Sequence, residues 1–375
     1  MTGVCVYSNT ILTDNDMSKL KRILFLSYRM SDGGTERAVS YFTSALAELG
    51  YDVGLFIYEK SENEYCINPK VKIFRYNGRA KGRIETVYQR NAQIRRVIGE
   101  FKPDCCLPFL PGVIEDTYFA AVKYNVPVVA AVRNKPRDMG KIKQIISDYV
   151  FRHCAAVFFQ TEEQKAFFPK TVARKGFVVP NSVPDELLQY TVPASGKITR
   201  FVSVGRLNKQ KNQIMLIDAF SDAVKRIPGL TLDIYGAGEE KDNLLNEIDA
   251  NSLHGTVRLC GRTENIADTL SKYDAFLFSS DYEGMPNALM EAMAFGLPCV
   301  STDCPTGPAE LLGNNERGIL VPVNNRDAMA EAIAELSVHP SEALEKAAAA
   351  KQYIRNNFNK QAIAQRLANA LESII

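Results

Sequence analysis

Short apolar runs alternate with amphipathic stretches along the whole chain of 375 residues. Runs of about four to eight apolar residues are typical of buried strands, and apolar residues spaced three and four apart predict helices. Residues 36–49 have that helical spacing. Strands that alternate with helices indicate parallel sheets covered by helices. The predicted strands are 23–27, 53–58, 71–75, 104–109, 126–132, 156–160, 177–179, 201–205, 231–235, 257–259, 275–278, 298–302 and 319–321.

A turn-rich segment, residues 181–197, lacks this periodicity and divides the chain into two halves that repeat the same alternation. A chain of this length suits two domains of ordinary size. We therefore predict two doubly wound, Rossmann-like α/β domains, at 21–188 and 189–359. Residues 1–20 read as an N-terminal extension, with a start at Met17 as the alternative. In open sheets of this class, ligands bind at the carboxyl ends of the strands.

Composition and charge narrow the choice of partner. The chain is 46% hydrophobic and 23% charged, with a net charge of +2, which argues against a nucleic-acid partner. Residues 1–190 hold 27 Lys and Arg against 20 Asp and Glu, and the remainder holds 18 against 23. The N-terminal half is therefore the candidate for an anionic partner.

A basic amphipathic helix is predicted over residues 84–98, inside a basic stretch of the N-terminal half. That composition suits peripheral contact with an anionic membrane or a lipid pyrophosphate, and a solvated helix face explains it equally well. The basic residues of the stretch are Arg75, Arg79, Lys81, Arg83, Arg90, Arg95, Arg96 and Lys102.

The cysteines and histidines favour a cytoplasmic protein without a metal site. The eight cysteines have no CxxC spacing, and Cys105, Cys106, Cys260 and Cys299 lie in apolar runs typical of buried strands. The three histidines are isolated, whereas zinc sites need several ligands at set spacings. No apolar run approaches the roughly 20 residues of a membrane span, and no signal peptide is evident.

The densest candidate chemistry lies in residues 279–296. Glu283 precedes the turn Gly284-Met285-Pro286-Asn287-Ala288, a helix start follows, and Glu291 comes eight residues after Glu283. The free amides of a first helical turn bind anions, so a diphosphate fits on the amides and sugar hydroxyls fit on the carboxylates. The alternative is that Glu283 merely complements the helix dipole and that Glu291 is an exposed helix residue.

Four other loops follow predicted strands. Arg206 and Lys211 come after strand 201–205, where they could neutralise a diphosphate or simply form a solvated basic loop. Gly33 and Gly34 open the first helix in a pattern that matches neither GxGxxG nor a P-loop. The loops that contain Gly236 and Gly238, and Arg262, are individually weak indications.

Together and in this order, these segments resemble the motifs of retaining glycosyltransferases of the GT-B fold, family 4, also called glycosyl transferases group 1. They correspond to its Gly-Gly-x-Glu-Arg loop, its Arg-x4-Lys pair and its Glu-x7-Glu motif. The resemblance implies that Arg206 and Lys211 stabilise the leaving diphosphate, that Glu283 holds the donor sugar and that Glu291 holds the ribose. It assigns the remaining donor contacts to Gly33, Gly34, Gly236, Gly238, Arg262, Gly284, Met285, Pro286, Asn287 and Ala288.

The resemblance further implies a metal-independent hexosyl or N-acetylhexosaminyl transferase. The donor would be a nucleotide-sugar, most simply a UDP-sugar, and the acceptor a glycan or lipid-linked glycan of surface polysaccharide or glycoconjugate synthesis. The enzyme would act in the cytoplasm or at the inner face of the plasma membrane. In that fold the last helix, here 360–375, crosses back onto the first domain.

One region departs from the family. Residues 107–112 end the fourth strand without the polar group that many relatives carry there. This favours a front-face displacement, in which the leaving phosphate oxygen accepts the acceptor's proton. Arg133 and Arg137 follow the fifth strand and are candidates to hold an acceptor phosphate.

Two rival functions stay open at this point. A non-hydrolysing UDP-sugar epimerase shares the two-domain architecture but needs a histidine that these loops lack. An inactive homologue acting as a partner subunit is disfavoured by the intact charged residues of the donor loops.

Overall fold

The structure is a computed structural model that describes residues 22–31, 33–62, 64–78, 82–133, 141–190, 196–263 and 265–374. The predicted N-terminal extension and the candidates Arg79, Lys81 and Arg137 lie outside these residues. The chain forms two compact units. Unit 1 comprises residues up to Ala130, His153–Ala156 and Arg366–Ile375, and unit 2 comprises Ala131–Arg152 and Val157–Gln365. The predicted boundary at residue 188 stays a prediction.

Every predicted strand forms, which confirms the α/β alternation. The strands are β1 Arg22–Ser27, β2 Asp52–Ile57, β3 Lys72–Arg75, β4 Cys105–Pro108, β5 Val129–Ala131, β6 Ala156–Phe159, β7 Gly176–Val178, β8 Arg200–Val204, β9 Thr231–Tyr235, β10 Val257–Gly261, β11 Ala275–Phe278, β12 Cys299–Thr302 and β13 Ile319–Val321. Strand β5 begins three residues later than predicted, after Pro127, which cannot donate a ladder hydrogen bond.

Helices connect the strands. They are α1 Gly34–Glu48, α2 Arg83–Phe101, α3 Val113–Ala121, α4 Lys141–His153, α5 Glu162–Ala166, α6 Lys170–Ala173, α7 Asp185–Gln189, α8 Gln213–Arg226, α9 Lys241–Ala250, α10 Ile266–Leu270, α11 Asn287–Phe295, α12 Pro308–Leu312, α13 Arg326–Val338, α14 Pro340–Asn357 and α15 Lys360–Glu372. Short 3-10 turns cover Val122–Tyr124 and Lys209–Lys211.

Unit 1 is built on a parallel sheet of order β3-β2-β1-β4. Its core stacks the ring of Phe109 on Phe25, with centroids 6.0 Å apart, and places Phe42 6.3 Å from Phe109. At the end of α15, Glu372 accepts a 2.6 Å hydrogen bond from the Tyr51 hydroxyl. The last residues of the chain therefore pack within unit 1.

Unit 2 is built on a six-stranded parallel sheet of order β10-β9-β8-β11-β12-β13. Strand β8 lies inside the sheet, and Phe201 on it packs against Phe220 of α8 with ring centroids 5.7 Å apart. Strand β10 lies at the edge, so Cys260 is exposed and the expectation that it is buried was wrong. Cys105, Cys106 and Cys299 are buried as predicted.

Backbone hydrogen bonds connect the carboxyl ends of β8, β9 and β10. Gly205 N–H donates to the carbonyl of Tyr235 at 2.9 Å, and Gly236 N–H donates to Gly261 at 2.7 Å. The loops after β8, β9 and β10 therefore lie side by side at one edge of the sheet. Among the described residues, no helix is long and apolar enough to cross a membrane.

Candidate active site

Lys211 and Glu283 form an ion pair at the carboxyl edge of the unit 2 sheet. Lys211 Nζ lies 2.7 Å from Glu283 Oε1, and the two side chains are only 15% and 9% exposed. The ammonium also lies 4.9 Å from the centroid of the Phe278 ring. Two residues singled out independently in the sequence therefore meet in space, in a site where charges interact more strongly than in water.

The loops that carry this pair are bound to each other by three further hydrogen bonds. Ser279 Oγ donates to the Lys211 carbonyl at 2.7 Å, and Asp281 N–H donates to the Gln210 carbonyl at 2.9 Å. Gln210 Nε2 donates to the Tyr282 carbonyl at 2.8 Å. The separation of Lys211 from Glu283 is therefore fixed by the backbone around both residues.

Glu283 is held from a third side by the loop after β12. Its N–H donates to the Pro305 carbonyl at 2.8 Å, and Thr306 N–H donates back to the Glu283 carbonyl at 3.1 Å. Thr306 Oγ1 donates to the Gly284 carbonyl at 2.5 Å. Sequence reasoning gave Thr306 no role.

The turn before α11 requires glycine because other groups come close. A Cβ on Gly284 would collide with the Arg133 carbonyl oxygen and the Gln160 side chain. A Cβ on Gly307, whose φ is 105°, would lie 2.7 Å from Pro286 Cδ. Pro286 takes the N-cap position of α11, so the helix begins at Asn287.

The first turn of α11 is placed as an anion site requires. Met285 and Pro286 are buried, whereas Asn287 and Ala288 are half-exposed at the helix start. The first amides of a helix have no partner within the helix. They are available to a ligand at the end of the helix dipole that favours negative charge.

A buried arginine braces this turn through two asparagines. Arg133 Nη1 donates to Asn181 Oδ1 at 2.9 Å, and Asn181 Nδ2 donates to Asn287 Oδ1 at 2.7 Å. Burial lowers the pKa of Arg133 to about 9, so the group is charged at neutral pH. The guanidinium turned to Asn181 favours a positioning role over the acceptor-phosphate role that we predicted for Arg133. Asn181 was missed because its segment was interpreted only as a linker.

Glu291 and Arg206 differ sharply in exposure. Glu291 is buried in the second turn of α11, which removes the alternative that it is an ordinary exposed helix residue. Arg206 is exposed on the loop after β8, where its carbonyl accepts a 3.0 Å hydrogen bond from Gln213 Nε2. Arg206 is therefore available to a ligand from solvent.

Gly236 and Gly238 have a packing reason that was not foreseen. A Cβ on Gly236 would collide with the Gly205 carbonyl oxygen, and one on Gly238 would collide with the Leu207 backbone. Because these two residues have no side chain, the loop after β9 can pack against the backbone of the loop that carries Lys211. Arg262 is exposed immediately after the edge strand β10.

Gly33 and Gly34 belong to unit 1. Gly33 is the N-cap of α1, and its carbonyl accepts a 3.1 Å hydrogen bond from Arg37 N–H. A Cβ on Gly33 would collide with the carboxylate of the buried Glu36. The predicted loop therefore opens α1 as expected.

A cluster of tyrosines, which we call the unit 1 tyrosine cluster (Tyr28, Tyr58 and Tyr76), follows three neighbouring strands of that sheet. The guanidinium carbon of Arg90 lies 4.8 Å from the Tyr58 ring centroid, 5.5 Å from Tyr28 and 6.0 Å from Tyr76. Arg90, one of the basic residues predicted for this helix, therefore lies against aromatic rings.

Asp116 lies beside this cluster. Its Oδ2 accepts a 3.4 Å hydrogen bond from the Tyr58 hydroxyl, and burial raises the pKa of Asp116 to about 6. The neighbouring Glu115 instead caps α3, accepting a 2.5 Å hydrogen bond from Gly112 N–H. A titratable group therefore lies close to residues 107–112, which themselves carry none.

The comparisons with known proteins agree with this geometry. The sequence profile described as "Glycosyl transferases group 1" matches residues 192–371. An uncharacterized glycosyltransferase of Methanocaldococcus jannaschii is 30% identical over 272 residues, covering 65% of this chain and 67% of that protein. A Campylobacter jejuni alpha-1,4-N-acetyl-D-galactosaminyltransferase, named for an undecaprenol-diphosphate-linked acceptor, is 24% identical over 322 residues, 83% of this chain and 88% of its own.

Among solved structures, Anabaena HepE in complex with UDP superposes with a TM-score of 0.78 at 18% identity. The superposition covers 94% of this chain and 100% of that one. Fold and site together define a glycosyltransferase of the GT-B fold. The chain belongs to the glycosyl transferases group 1 family, as the motifs predicted.

Proposed function

We propose that this glycosyltransferase moves a sugar from a UDP-sugar to a glycan or lipid-linked glycan with retention of anomeric configuration. The observation that carries the proposal is the Lys211–Glu283 ion pair beside the first turn of α11. That arrangement offers a cation, a carboxylate and free helix amides within one small site. A nucleotide-sugar presents the matching groups, namely a diphosphate and a ring of hydroxyls.

Charge stabilisation carries the reaction in this proposal. As the bond between the sugar and the diphosphate breaks, negative charge grows on the leaving oxygen. Lys211, the amides at the start of α11 and the exposed Arg206 stabilise that charge, with no step assigned to a metal. Glu283 accepts hydrogen bonds from the sugar and Glu291 from the ribose. The acceptor oxygen bonds to the anomeric carbon on the face from which the diphosphate departs, and its proton passes to the leaving phosphate oxygen, so the configuration is retained.

The names of two relatives support the proposed acceptor class and the proposed biosynthetic process. The Campylobacter relative is named for a lipid-linked glycan acceptor, and an Erwinia amylovora relative for amylovoran biosynthesis. We propose a hexosyl or N-acetylhexosaminyl transfer in surface polysaccharide or glycoconjugate synthesis, at the cytoplasmic face of the plasma membrane.

Thermal-shift measurements with a panel of nucleotide-sugars, UDP and GDP test the donor. A ligand that binds only the folded state raises the apparent stability. We expect UDP and at least one UDP-sugar to raise the Tm. When the protein is incubated with that UDP-sugar and a lipid-linked acceptor, we expect NMR to show an α-linked product. No shift with any nucleotide would contradict the donor class, and an inverted product would contradict the stereochemistry. Interconversion of two UDP-sugars would indicate an epimerase instead.

A further inference from the structure

Helix α4 displays a stripe of large apolar side chains to solvent. Ile142 is 77% exposed, Ile145 68%, Ile146 39% and Tyr149 49%. Residues spaced three, four and seven apart lie on one face of a helix. The exposed apolar residues of α4 therefore form one continuous stripe rather than scattered single positions.

The opposite face of α4 is firmly packed. Ser147 and Phe151 are buried, and the Phe151 ring lies 5.4 Å from that of Phe168. At its end, the Arg152 carbonyl accepts a 2.9 Å hydrogen bond from Lys175 Nζ. The helix is thus anchored on one side, and the apolar stripe is presented on a fixed element.

Positive charge flanks the stripe. Lys141, Lys143 and Arg152 are exposed. At about 100° per residue, Lys141 and Arg152 fall on one side of the stripe and Lys143 on the other. The single acidic residue of α4, Asp148, is half-buried and accepts a 2.9 Å hydrogen bond from Gln144. An apolar stripe between cationic borders suits the headgroup region of an anionic bilayer.

From this arrangement we propose that α4 lies in the plane of an anionic membrane surface. Its isoleucines enter the boundary between headgroups and acyl chains, to a depth of about 5–10 Å, and its lysines and arginine contact lipid phosphates. The partner is a lipid bilayer and not a second copy. In a two-fold pairing of this helix with itself, the cationic borders would oppose one another.

Helix α2, the element whose sequence suggested membrane contact, presents less of this chemistry. Among the residues of α2 whose side chains the structure describes, the large exposed apolar ones are Val87 and Tyr88, which are adjacent in sequence and so diverge by about 100° around the helix. Arg90 is turned onto the unit 1 tyrosine cluster. Substitutions on α2 can therefore serve as the control for substitutions on α4.

Vesicle flotation of the full chain tests the proposal. The wild type should float with phosphatidylcholine vesicles that contain phosphatidylglycerol, and added salt should weaken the binding. Ile142→Ser/Ile145→Ser/Ile146→Ser should lower the partition coefficient at least about tenfold, because it removes most of the apolar stripe. Lys141→Gln/Lys143→Gln should lower it about fivefold per charge on anionic vesicles and little on neutral ones.

The matched control is Val87→Ser/Tyr88→Ser on α2, which should float as the wild type does. All variants should keep the wild-type Tm and the UDP-induced shift, so loss of flotation is separable from loss of fold or donor binding. Absence of flotation of the wild type, or its loss only in the α2 variant, would overturn the proposal. Sedimentation velocity that shows a dimer dissolved by the isoleucine substitutions would overturn it in favour of self-association.

Discussion

The carboxyl edges of the two sheets carry polar chemistry of different kinds. In unit 2, Lys211 and Glu283 sit among loops that touch one another through their backbones, with glycines at the closest approaches. In unit 1, the same edge is filled by the tyrosine cluster, with Arg90 against the rings and Asp116 on the Tyr58 hydroxyl. The diphosphate proposed for unit 2 would be held by backbone and fixed charge, and the close approach of these loops requires glycine at set positions. Aromatic and carboxylate side chains place no such demand on the backbone.

The largest expected effect is at Lys211. Lys211→Ala removes the partly buried cation, and we expect kcat/KM for transfer to fall about 10²–10³-fold because charge on the departing diphosphate loses a donor. Steady-state assays of UDP release measure this. Lys209→Ala, an exposed lysine in the same 3-10 turn, is the control and should change little. If both variants lost activity equally, the positive charge of the whole loop, and not the Lys211–Glu283 pair, would be responsible for the effect.

Glu283→Gln should lower transfer about 10- to 100-fold, the range for a lost charge-assisted hydrogen bond. Its effect on free UDP should be opposite in sign to that of Lys211→Ala. Lys211 loses its carboxylate partner and is free for a diphosphate, so titration calorimetry should show severalfold tighter UDP binding. Glu331→Gln, exposed on α13, is the control. Weaker UDP binding in Glu283→Gln would contradict a pair that competes with the ligand.

A smaller effect is expected at Asn181, which links Arg133 to Asn287. Asn181→Ala should destabilise the fold by about 1–3 kcal/mol, since the buried Arg133 and the half-exposed Asn287 each lose a hydrogen bond. It should raise the KM for the donor about tenfold while kcat changes less, because the start of α11 is no longer braced. Urea denaturation and donor kinetics measure the two effects. The half-exposed neighbour Ser182→Ala should show neither.

The smallest expected effect is at Asp116 of unit 1, whose ionisation makes the stability of the fold depend on pH. The pKa of Asp116 is higher in the folded chain than in the unfolded one, so ionisation opposes folding, and stability is lost as pH rises through about 6. Asp116→Asn stays neutral and should exceed the wild type by about 1–2 kcal/mol above pH 7, after allowance for partial exposure. The gap should shrink towards pH 4 in urea denaturation curves. If the difference in stability between Asp116→Asn and the wild type did not change with pH, ionisation of Asp116 would not be its cause.

The sequence predicted the fold far better than the packing of its sites. Apolar runs located the strands, because burial in a parallel sheet imposes continuous hydrophobicity on most of them, the exposed edge strand β3 being an exception. The glycine-containing loops of unit 2 were noticed because they follow predicted strands and resemble family motifs, and their assignment to the donor stays a prediction. Asn181 was not found, since its side chain meets residues that are distant in sequence without constraining its neighbours. Arg133 was noticed by position, and only the structure directs its guanidinium to Asn181.

The Lys211–Glu283 pair also bears on turnover. Glu283 is paired with the Lys211 ammonium, so under the function proposed above a diphosphate must displace this carboxylate to reach the ammonium. The hydroxyls of an intact nucleotide-sugar would give Glu283 new hydrogen-bond donors, whereas the nucleotide left after transfer would not. On that proposal, Glu283 would pair with Lys211 again once the sugar has left, which would favour product release. The contact that orders the site would then also return it to its starting state after each cycle.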